Sequence, residues 1–545
     1  MERWKEHFEE TLNRPEPTNP IEINDDERSE TIDEITTTGL TQEEIKKALK
    51  MMKNGKTSGK DGITAKLLNA DMEITSVVLE DLFQDIWENE VIPKNWTQGI
   101  ITKIPKKGDL QICDNYRGIT LLSVPSKVFT RVLINRIYEG VNKRLRAEQA
   151  GFRRGRGTTE QIFILRNIVE QSIEWNATTY VNFIDFEKAF DSVHQDSLWK
   201  IMKYYGIPAK IINIVKLFYE KSECTVLDNG KESTWFRVKT GVKQGCNMSG
   251  FLFLLVIDWI MKHSIQGNTG IRWQMMTKLE DLDFADDLAL ISSSQKHMQE
   301  KTSNLNNTAK RVGLQINKKK TKLLKINAKN QQPVILEGEE IESVQNFTYL
   351  GATISNQGGC DEDIKARLSK ARGTFKRLNK IWQSSEFSMK TKVRLFNSLV
   401  KPVLLYGSET WKMNEGDNKL LDTYMFKGMR RILKIYWPNK VSNEEILKRV
   451  GSQRISEELK IRRWRWIGHV LRMDQGSHCS TALTWTPDGK RSRGRPKTTW
   501  RRTVEAERER LGWLTWGQAR NVAKDREKWR SCIRALCATG HEEDR

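Results

Sequence analysis

Cysteine is scarce in this chain: seven residues among 545 lie scattered at positions 113, 224, 246, 360, 479, 532 and 537. An odd and sparse set in a long chain argues against a disulfide framework and for a reducing compartment. Long apolar runs are lacking too, since the longest, Phe251 to Ile257, is far shorter than the roughly 18 residues of a membrane helix. The first residues show no apolar segment typical of a signal peptide. The sequence therefore predicts an intracellular protein with no membrane partner.

Charge, by contrast, is abundant and unevenly placed. The formal net charge is +21, which favours a polyanionic partner such as nucleic acid, although a basic surface that serves solubility is the alternative. Residues 1–50 are acidic, with a net charge of −7. Residues 451–545 carry a net charge of +10 and seven of the eighteen tryptophans. Arginines interleaved with aromatic rings suit phosphate contact and base stacking.

The order of predicted elements indicates an α+β fold. The length suggests about three or four domains, at roughly 100–200 residues each. Strand patterns at 99–104 and 180–184 mix with a helical pattern over 125–175 and an apolar helix over 251–262. Because these elements do not alternate as regular βαβ units, a doubly wound parallel sheet is disfavoured.

Carboxylates stand at the ends of two predicted strands. Asp185 follows the run Tyr180 to Ile184, and Asp286 and Asp287 interrupt an alternating apolar pattern as the tip of a hairpin would. Carboxylates beside apolar strands are costly unless a cation neutralises them, and hard divalent ions with oxygen ligands do so. Two such ions about 3.5–4 Å apart would stabilise an in-line phosphoryl transfer. The alternative for an isolated pair of aspartates is an ordinary acidic turn.

Seven short motifs follow one another over about 250 residues. They are Ile104 to Gly108, Asn115 to Ile119, Phe183 to Val193, Gly241 to Cys246, Phe284 to Asp287, Gly313 to Lys322, and Phe347 to Gly351. In this order the chain resembles the reverse transcriptases of non-LTR (LINE-type) retrotransposons, most closely the RTE group. The resemblance covers about residues 41–350 and extends into both flanks. One of these patterns alone is weak, but seven in order are specific.

The resemblance implies a right-hand polymerase fold of fingers, palm and thumb with a basic C-terminal extension. We expect an N-terminal helix and linker at 1–40, fingers and palm at 41–330, primer grip and helical thumb at 331–415, and a nucleic-acid-binding region at 416–545. The implied activity is that of an RNA-directed DNA polymerase, which extends a primer 3′-hydroxyl with dNTPs on an RNA template. Such an enzyme works on RNA and DNA in the cytoplasm and nucleus.

The catalytic and metal-binding residues implied by the resemblance are Asp185, Asp286 and Asp287. They would hold two Mg²⁺ ions, with Mn²⁺ as a substitute. The implied nucleotide-binding residues are Lys106, Arg117, Phe186, Phe190, Gln244, Gly245 and Lys320. Lys106 and Arg117 would reach the triphosphate, the lysine as a point charge and the arginine as a bidentate donor.

Two of these nucleotide-binding roles have a plain alternative. Phe190 would act as an aromatic steric gate that excludes a ribose 2′-hydroxyl, or it is a core residue at helical spacing. Lys320 would donate a proton to departing pyrophosphate, or it belongs to a solvated basic turn. Gln244 would touch the nucleotide, and Gly245 would permit a close backbone approach.

Residues further along the chain would contact the primer and the template. The implied primer grip is Tyr349, Leu350 and Gly351. The implied nucleic-acid contacts of the C-terminal region are Arg462, Arg463, Trp464, Arg465, Trp466, Arg493 and Arg495. The tract from Arg493 to Pro496 is similar to an AT-hook core, with a basic linker as the alternative. Cys532, Cys537 and His541 are three candidate zinc ligands without a convincing fourth.

One segment departs from the family pattern. Relatives continue the motif after Cys246 with two prolines, whereas this chain reads Asn247, Met248, Ser249 and Gly250, which predicts a looser loop. A nucleic-acid-binding protein with a decayed polymerase fold is therefore the second hypothesis, and an intron-encoded maturase-like reverse transcriptase is the third. We also expect the chain to lack the endonuclease that precedes the polymerase in this family.

Overall fold

The computed structural model describes residues 1–23, 31, 32, 34–106, 108–491, 494 and 497–538. The chain forms two compact units. The first unit comprises Met1–Gly155, Ile184–Gly267 and Glu300–Lys320, and the second comprises Arg156–Phe183, Asn268–Gln299 and Thr321–Arg545. Helices and strands are mixed in both units, so the predicted α+β class is confirmed.

Helices dominate the chain. They are α1 (Glu2–Leu12), α2 (Gln42–Lys50), α3 (Ala65–Leu68), α4 (Met72–Asn89), α5 (Lys94–Thr97), α6 (Val124–Asn142), α7 (Thr158–Glu174), α8 (Ala189–Ser192), α9 (Gln195–Tyr204), α10 (Ala209–Glu220), α11 (Ser249–Ser264), α12 (Gln295–Lys310), α13 (Asp361–Arg377), α14 (Asn379–Gln383), α15 (Met389–Leu395), α16 (Lys401–Leu404), α17 (Glu415–Ile432), α18 (Asn443–Val450), α19 (Ile455–Arg472), α20 (His478–Thr484), α21 (Trp500–Arg510), α22 (Trp516–Lys524) and α23 (Arg526–Ala538). Within the described ranges, none of them is both long and apolar enough to cross a bilayer.

The strands are short. They are β1 (Gln98–Pro105), β2 (Tyr116–Leu121), β3 (Thr179–Ile184), β4 (Glu223–Asp228), β5 (Lys231–Glu232), β6 (Phe236–Arg237), β7 (Ile271–Arg272), β8 (Lys278–Leu279), β9 (Asp281–Phe284), β10 (Asp287–Ser292), β11 (Lys322–Ile326), β12 (Ile335–Leu336), β13 (Glu339–Glu340), β14 (Ser343–Val344), β15 (Asn346–Tyr349) and β16 (Ala352–Ser355). The strands expected at 99–104 and 180–184 correspond to β1 and β3.

The first unit contains a sheet in the order β2-β1-β4-β5, with β6 also paired to β4. Strand β1 runs antiparallel to β2 and parallel to β4. Trp4, Phe8 and Leu12 recur at every fourth position, so α1 lays one apolar face on this sheet. The apolar run of α11 is fully buried, and each such large side chain contributes about 1.5–3 kcal/mol.

The second unit contains a sheet in the order β14-β11-β3-β10-β9. Strand β11 is antiparallel to β3, and β9 and β10 form an antiparallel hairpin. Helix α7 is buried over most of its length, as expected of a helix enclosed by protein on several sides. The helices beyond residue 360 bury two apolar clusters, one around Trp382 and Trp411 and another around Trp464 and Trp529.

Candidate active site

Asp185 lies in the first unit, directly after the last residue of β3. Its carbonyl accepts a hydrogen bond from the Asn317 amide at 2.8 Å, and Phe186 forms an antiparallel bridge with Ile316. The chain after β3 is therefore held by the segment that ends in the basic turn. The Asp185 carboxylate lies 3.2 Å from the ammonium of Lys320 in that turn. The carboxylate thus already faces a cation.

Basic side chains converge beside this turn. Burial, followed by the charges of Arg117, Lys188 and Lys320, lowers the pKa of Lys106. Lys106 donates from its backbone to the Asn115 carbonyl at 2.7 Å and from its ammonium to the Asp114 carbonyl at 3.2 Å, which fixes it at the end of β1. Burial and neighbouring positive charge thus disfavour the protonated form of Lys106, and a bound polyanion would offset the effect of the neighbouring charge.

Lys188 is a member of this group that sequence reasoning did not single out. It has a left-handed backbone, with φ of +45°, just before α8. Its ammonium lies 2.9 Å from the Asp114 carboxylate and 2.9 Å from the Thr11 hydroxyl. The signal was its place inside the motif from Phe183 to Val193, where only the aspartate and the aromatic residues drew attention.

Asp191 is a carboxylate within this basic surrounding. Burial raises the pKa of Asp191 to about 6, although Lys188 and Arg14 oppose that rise. Its oxygens accept from the side-chain amide of Gln244 at 3.2 and 3.3 Å. The carboxylate therefore fixes the orientation of Gln244, one of the predicted nucleotide-binding residues.

Gly245 lies where no other residue would fit. Its φ is +120°, and a Cβ built on it would lie 2.3 Å from the Thr120 carbonyl oxygen. The neighbouring Gln244 carbonyl accepts from the Thr120 amide at 2.7 Å. The loop that carries Gln244 therefore lies directly against β2. The predicted close backbone approach at Gly245 is present, and it is an approach to this strand.

The two predicted aromatic contacts differ in exposure. Phe186 is 4% exposed, which leaves only its backbone for contact with a nucleotide. Phe190 is half-buried: it stacks on Phe253 at 4.3 Å between ring centroids and meets the edge of Phe152 at 5.9 Å. Its carbonyl accepts from the Val242 amide at 2.7 Å. Phe190 is thus held rigidly while part of its surface stays accessible.

The segment that departs from the family pattern is anchored by other means. The Asn247 amide donates to the Lys127 carbonyl at 3.2 Å, and Met248 is fully buried at the start of α11. A Cβ on Gly250 would lie 2.7 Å from the Phe152 ring, so this glycine permits tight packing there. These contacts constrain the loop where relatives have prolines.

The other two predicted catalytic aspartates lie in the second unit. Asp286 and Asp287 follow β9 at the tip of the hairpin, where Ala285 has a left-handed φ of +58°. Asp287 is exposed. The carbonyl of Asp283, four residues before Asp287, accepts from the Gln161 amide of α7 at 3.1 Å. The hairpin tip therefore presents its carboxylates from a buried and anchored base.

The predicted primer grip, Tyr349 to Gly351, forms the turn between β15 and β16. Tyr349 is buried, and its hydroxyl donates to the Leu282 carbonyl of β9 at 2.9 Å. Burial and the charges of Asp283, Asp287 and Asp281 raise the pKa of Tyr349 well above its ordinary value. The grip and the strand that leads to Asp286 are therefore joined by a hydrogen bond.

Two residues from beyond position 360 hold the other two members of the grip. Leu350 and Gly351 both have positive φ, +47° and +82°. The Gly351 carbonyl accepts from the guanidinium of Arg367, and the Leu350 carbonyl accepts from the Tyr406 hydroxyl at 2.8 Å. Arg367 stacks over the Tyr406 ring, 4.3 Å from its centroid. The sequence did not connect either residue with the turn, because nothing local links them to it.

A buried ion pair supports this arrangement. Arg166 of α7 lies 2.6 Å from the Asp363 carboxylate of α13, and both side chains are almost fully buried. Asp363 also accepts from the Trp411 indole at 2.8 Å and from the Thr353 amide of β16 at 3.0 Å. One carboxylate thus satisfies donors from three parts of the second unit.

The predictions for the C-terminal arginines and tryptophans require a correction. Arg463 and Trp464 are buried, at 1% and 0% exposure, and both donate to the Glu507 carboxylate. Both side chains therefore lie on the core face of α19. This leaves them no surface for contact with nucleic acid. Arg462, Arg465 and Trp466 stay at the surface.

Trp485 and Trp500 are buried as well, so they are not stacking platforms. Arg493 and Arg495, together with the Cys537 side chain and His541, lie outside the described residues.

The sequence comparisons agree with this geometry. Residues 104–354 match the family model described as reverse transcriptase (RNA-dependent DNA polymerase). The chain carries a reverse transcriptase domain. The predicted resemblance and fold are confirmed for that range, and the RTE group stays a prediction. A second model, described only as a domain of unknown function, matches residues 374–406.

Curated relatives include retrotransposon proteins. A Pol polyprotein from the type-1 retrotransposable element R2 of Popillia japonica is 26% identical over 68% of this chain and 51% of its own length. An RNA-directed DNA polymerase from the mobile element jockey of Drosophila melanogaster is 25% identical over 68% of this chain. The chain spans about half or less of the length of these two relatives. A solved telomerase from Candida tropicalis, 15% identical, aligns over 78% of this chain with a TM-score of 0.35.

The residues fit a site for divalent metals that the substrate completes. In the described ranges, no set of three His, Cys, Asp or Glu side chains is arranged to hold a metal ion by itself. Mg²⁺ is usually bound by one or two carboxylates together with water and substrate phosphates. Carboxylate oxygens such as those of Asp185 and Asp286 are the ligands it prefers. The Asp185 carboxylate faces the ammonium of Lys320.

Proposed function

We propose that this chain is an RNA-directed DNA polymerase, which joins dNTPs to the 3′-hydroxyl of a primer on an RNA template. The observation that carries the proposal is the ion pair of Lys320 with Asp185, together with the positive charges of Arg117, Lys188 and Lys320 that act on Lys106. Together with the reverse transcriptase domain, these charges support binding of a nucleoside triphosphate. RNA template, DNA primer or target, and dNTPs are the proposed partners, and the cytoplasm and nucleus the proposed compartments.

We propose Asp185, Asp286 and Asp287 as the residues that hold two Mg²⁺ ions. Asp185 directly follows β3, and Asp287 begins β10, which is the neighbour of β3 in the sheet. When bound, the metals would activate the attacking hydroxyl and neutralise the leaving pyrophosphate. The protein itself supplies positioning and fixed charge, which is most of what phosphoryl transfer requires.

We propose the following roles for the nucleotide-binding residues. Lys106 and Arg117 bind phosphate oxygens, and Lys188 extends this charge toward the start of α8. Gln244, held by Asp191, contacts the nucleotide beside Gly245. Lys320, whose ammonium lies 3.2 Å from the Asp185 carboxylate, would donate a proton to the leaving group.

Phe190 is proposed as the gate that excludes ribonucleotides. Its packed face and accessible remainder fit a rigid barrier below the sugar. Phe190→Ala should admit rNTPs without a comparable loss of dNTP use, measured by single-nucleotide competition. If Phe190→Ala discriminates between rNTPs and dNTPs as the wild type does, the role of Phe190 is purely structural.

The test of the activity is extension of oligo(dT) on poly(rA) with Mg²⁺, and with Mn²⁺ in a parallel arm. Asp185→Asn and Asp286→Asn should each abolish extension while template–primer binding persists, because each removes a ligand charge. Asp196→Asn, at an exposed position of α9, is the matched control. Near-normal extension by either active-site variant would show that the assignment is wrong. An inactive but RNA-binding wild-type chain would favour a decayed polymerase.

A further inference from the structure

The two faces of α19 carry the same residue types in different surroundings. Arg463 and Trp464 are enclosed and bound to Glu507, whereas Arg462, Arg465, Trp466 and His469 lie at the surface. These four residues follow the helical spacing of one stripe. Arg465 and His469 are exposed, and Arg462 and Trp466 are half-buried.

Helix α23 adds two arginines to this stripe. A cavity of about 780 Å³ lies between the two helices, lined by the stripe residues and by Arg530 and Arg534 of α23. The two arginines are one helical turn apart and exposed, while the residue before each of them, Trp529 and Ile533, is buried. Their side chains therefore line the same wall of the groove.

The groove has an excess of positive charge. Glu458 and Glu409 both lie near Arg462, at 3.1 and 3.7 Å. In the described part of the chain, no carboxylate lies within salt-bridge distance of Arg465, Arg530 or Arg534. A ligand with several negative charges would offset this excess of positive charge.

The groove also contains an aromatic surface. Trp466 is half-buried, with its ring meeting the edge of Phe163 at 5.8 Å and the His469 ring at 5.4 Å. Its indole nitrogen makes no hydrogen bond to any described residue. Arginines that track phosphates beside a ring that can stack a base are the two components of single-strand binding.

We propose that this groove binds a single-stranded segment of nucleic acid, with Arg465, Arg530 and Arg534 on the phosphates and Trp466 against an unpaired base. The proposal rests on the proposed handling of RNA and DNA by this chain, but it concerns a surface separate from the catalytic residues. A duplex offers phosphates without an accessible base face, so the tryptophan favours a single strand.

The test measures binding of a labelled uridine oligomer by anisotropy over a series of salt concentrations. In the double variant Arg530→Gln/Arg534→Gln, the slope of log affinity against log salt should become shallower by about 1.4, since each lost phosphate contact contributes about 0.7 on single strands. Trp466→Leu should lower affinity by about fivefold or more with little change in slope. Arg510→Gln, at an exposed position of α21, is the matched control.

Competition with a deoxy oligomer, a duplex of equal length and heparin identifies the ligand. The proposal is upheld if the groove variants lose single-strand binding and the duplex competes poorly. It is overturned if the double variant behaves like Arg510→Gln, or if heparin and duplex compete equally while Trp466→Leu has no effect. Thermal melting of each variant excludes unfolding as the cause.

Extension of a saturating, pre-annealed template–primer separates the groove from the polymerase. The Arg530→Gln/Arg534→Gln variant should extend it at the normal rate. Loss of extension in the wild-type chain with intact groove binding would refute only the proposed activity.

Discussion

In the first unit, burial and then the charges of Arg117, Lys188 and Lys320 lower the pKa of Lys106. In the second unit, Arg166 is buried against the Asp363 carboxylate, and Arg367 donates to a carbonyl of the primer-grip turn. Lys188 and Lys320 of the first group have carboxylate partners, Asp114 and Asp185, and the whole group is at least partly exposed. The second group is enclosed, and a specific acceptor faces each guanidinium.

This difference indicates that the charges of the first group serve ligand binding, whereas those of the second group stabilise the fold. Like charges held close together raise the free energy of the folded state, and a bound polyanion would offset this cost. A buried pair, in contrast, is costly mainly when one partner is removed. The two groups should therefore respond in opposite ways to neutralisation.

The largest effect is expected at the enclosed group. Asp363→Ala should lower the free energy of unfolding by about 3–5 kcal/mol, because Arg166 would stay buried without its partner. Asp361→Ala, at a 53% exposed position two residues earlier in α13, is the control and should cost far less. Urea unfolding measures both. Equal losses in the two variants would contradict the distinction.

Neutralising a second buried carboxylate, Glu170, should have the opposite effect and raise the stability of the fold. Burial raises the pKa of Glu170 to about 7, although Lys412, Arg166 and Arg501 oppose it. A folded pKa above the unfolded one means that stability is lost as pH rises from about 4.5 to 7. Glu170→Gln should therefore be more stable than the wild type above pH 7, by up to about 3 kcal/mol.

At about pH 4.5 the advantage of Glu170→Gln should vanish, which makes the low-pH melt its own control. A variant that is less stable at every pH would show that the carboxylate is fully compensated by its neighbours.

Neutralisation at the open group should affect ligand binding instead. Lys106→Gln and Arg117→Gln should each weaken dNTP binding by about 1.5–3 kcal/mol, the range of a charged hydrogen bond, with stability unchanged or slightly raised. Lys66→Gln, at an exposed position of α3, is the control. Single-turnover dNTP titration and thermal melting together provide the test. A large loss of stability without a binding defect would mean that Lys106 and Arg117 have a structural role.

The smallest effect concerns the primer grip. Tyr406→Phe removes the hydroxyl that donates to the Leu350 carbonyl, and should weaken primer binding by about 0.5–1.5 kcal/mol. Tyr436→Phe, at a 60% exposed position, should have no effect. If the two variants bind a primer–template equally, the Leu350 carbonyl does not depend on this contact.

Local pattern was sufficient for much of the fold and for the placement of the motifs. The apolar run of β3 and the hairpin around Asp286 were readable because strand preference and turn chemistry act over a few residues. Gly245 was recognisable as a close-approach position. What it approaches, Thr120, could not be inferred, because that contact joins distant parts of the chain.

The residues that were misassigned or missed depend on long-range partners. Arg463 and Trp464 look like exposed nucleic-acid contacts in a basic aromatic tract, but Glu507, more than forty residues later, draws both into the core. Asp363 and Arg166 are almost two hundred residues apart. Neither pairing is visible in the local composition. Helical phase and tertiary contacts determine which of these residues are buried.

The single carboxylate of Glu507 fixes the rotational phase of α19, since it receives donors from two successive residues of that helix. One residue inserted before Arg463 would turn everything after it by about 100° and carry the arginine stripe toward the core. Helix α19 should therefore accept many substitutions on its outer face and almost no change of length. An insertion or deletion in α19 would preserve the position of the stripe only if it added or removed whole helical turns.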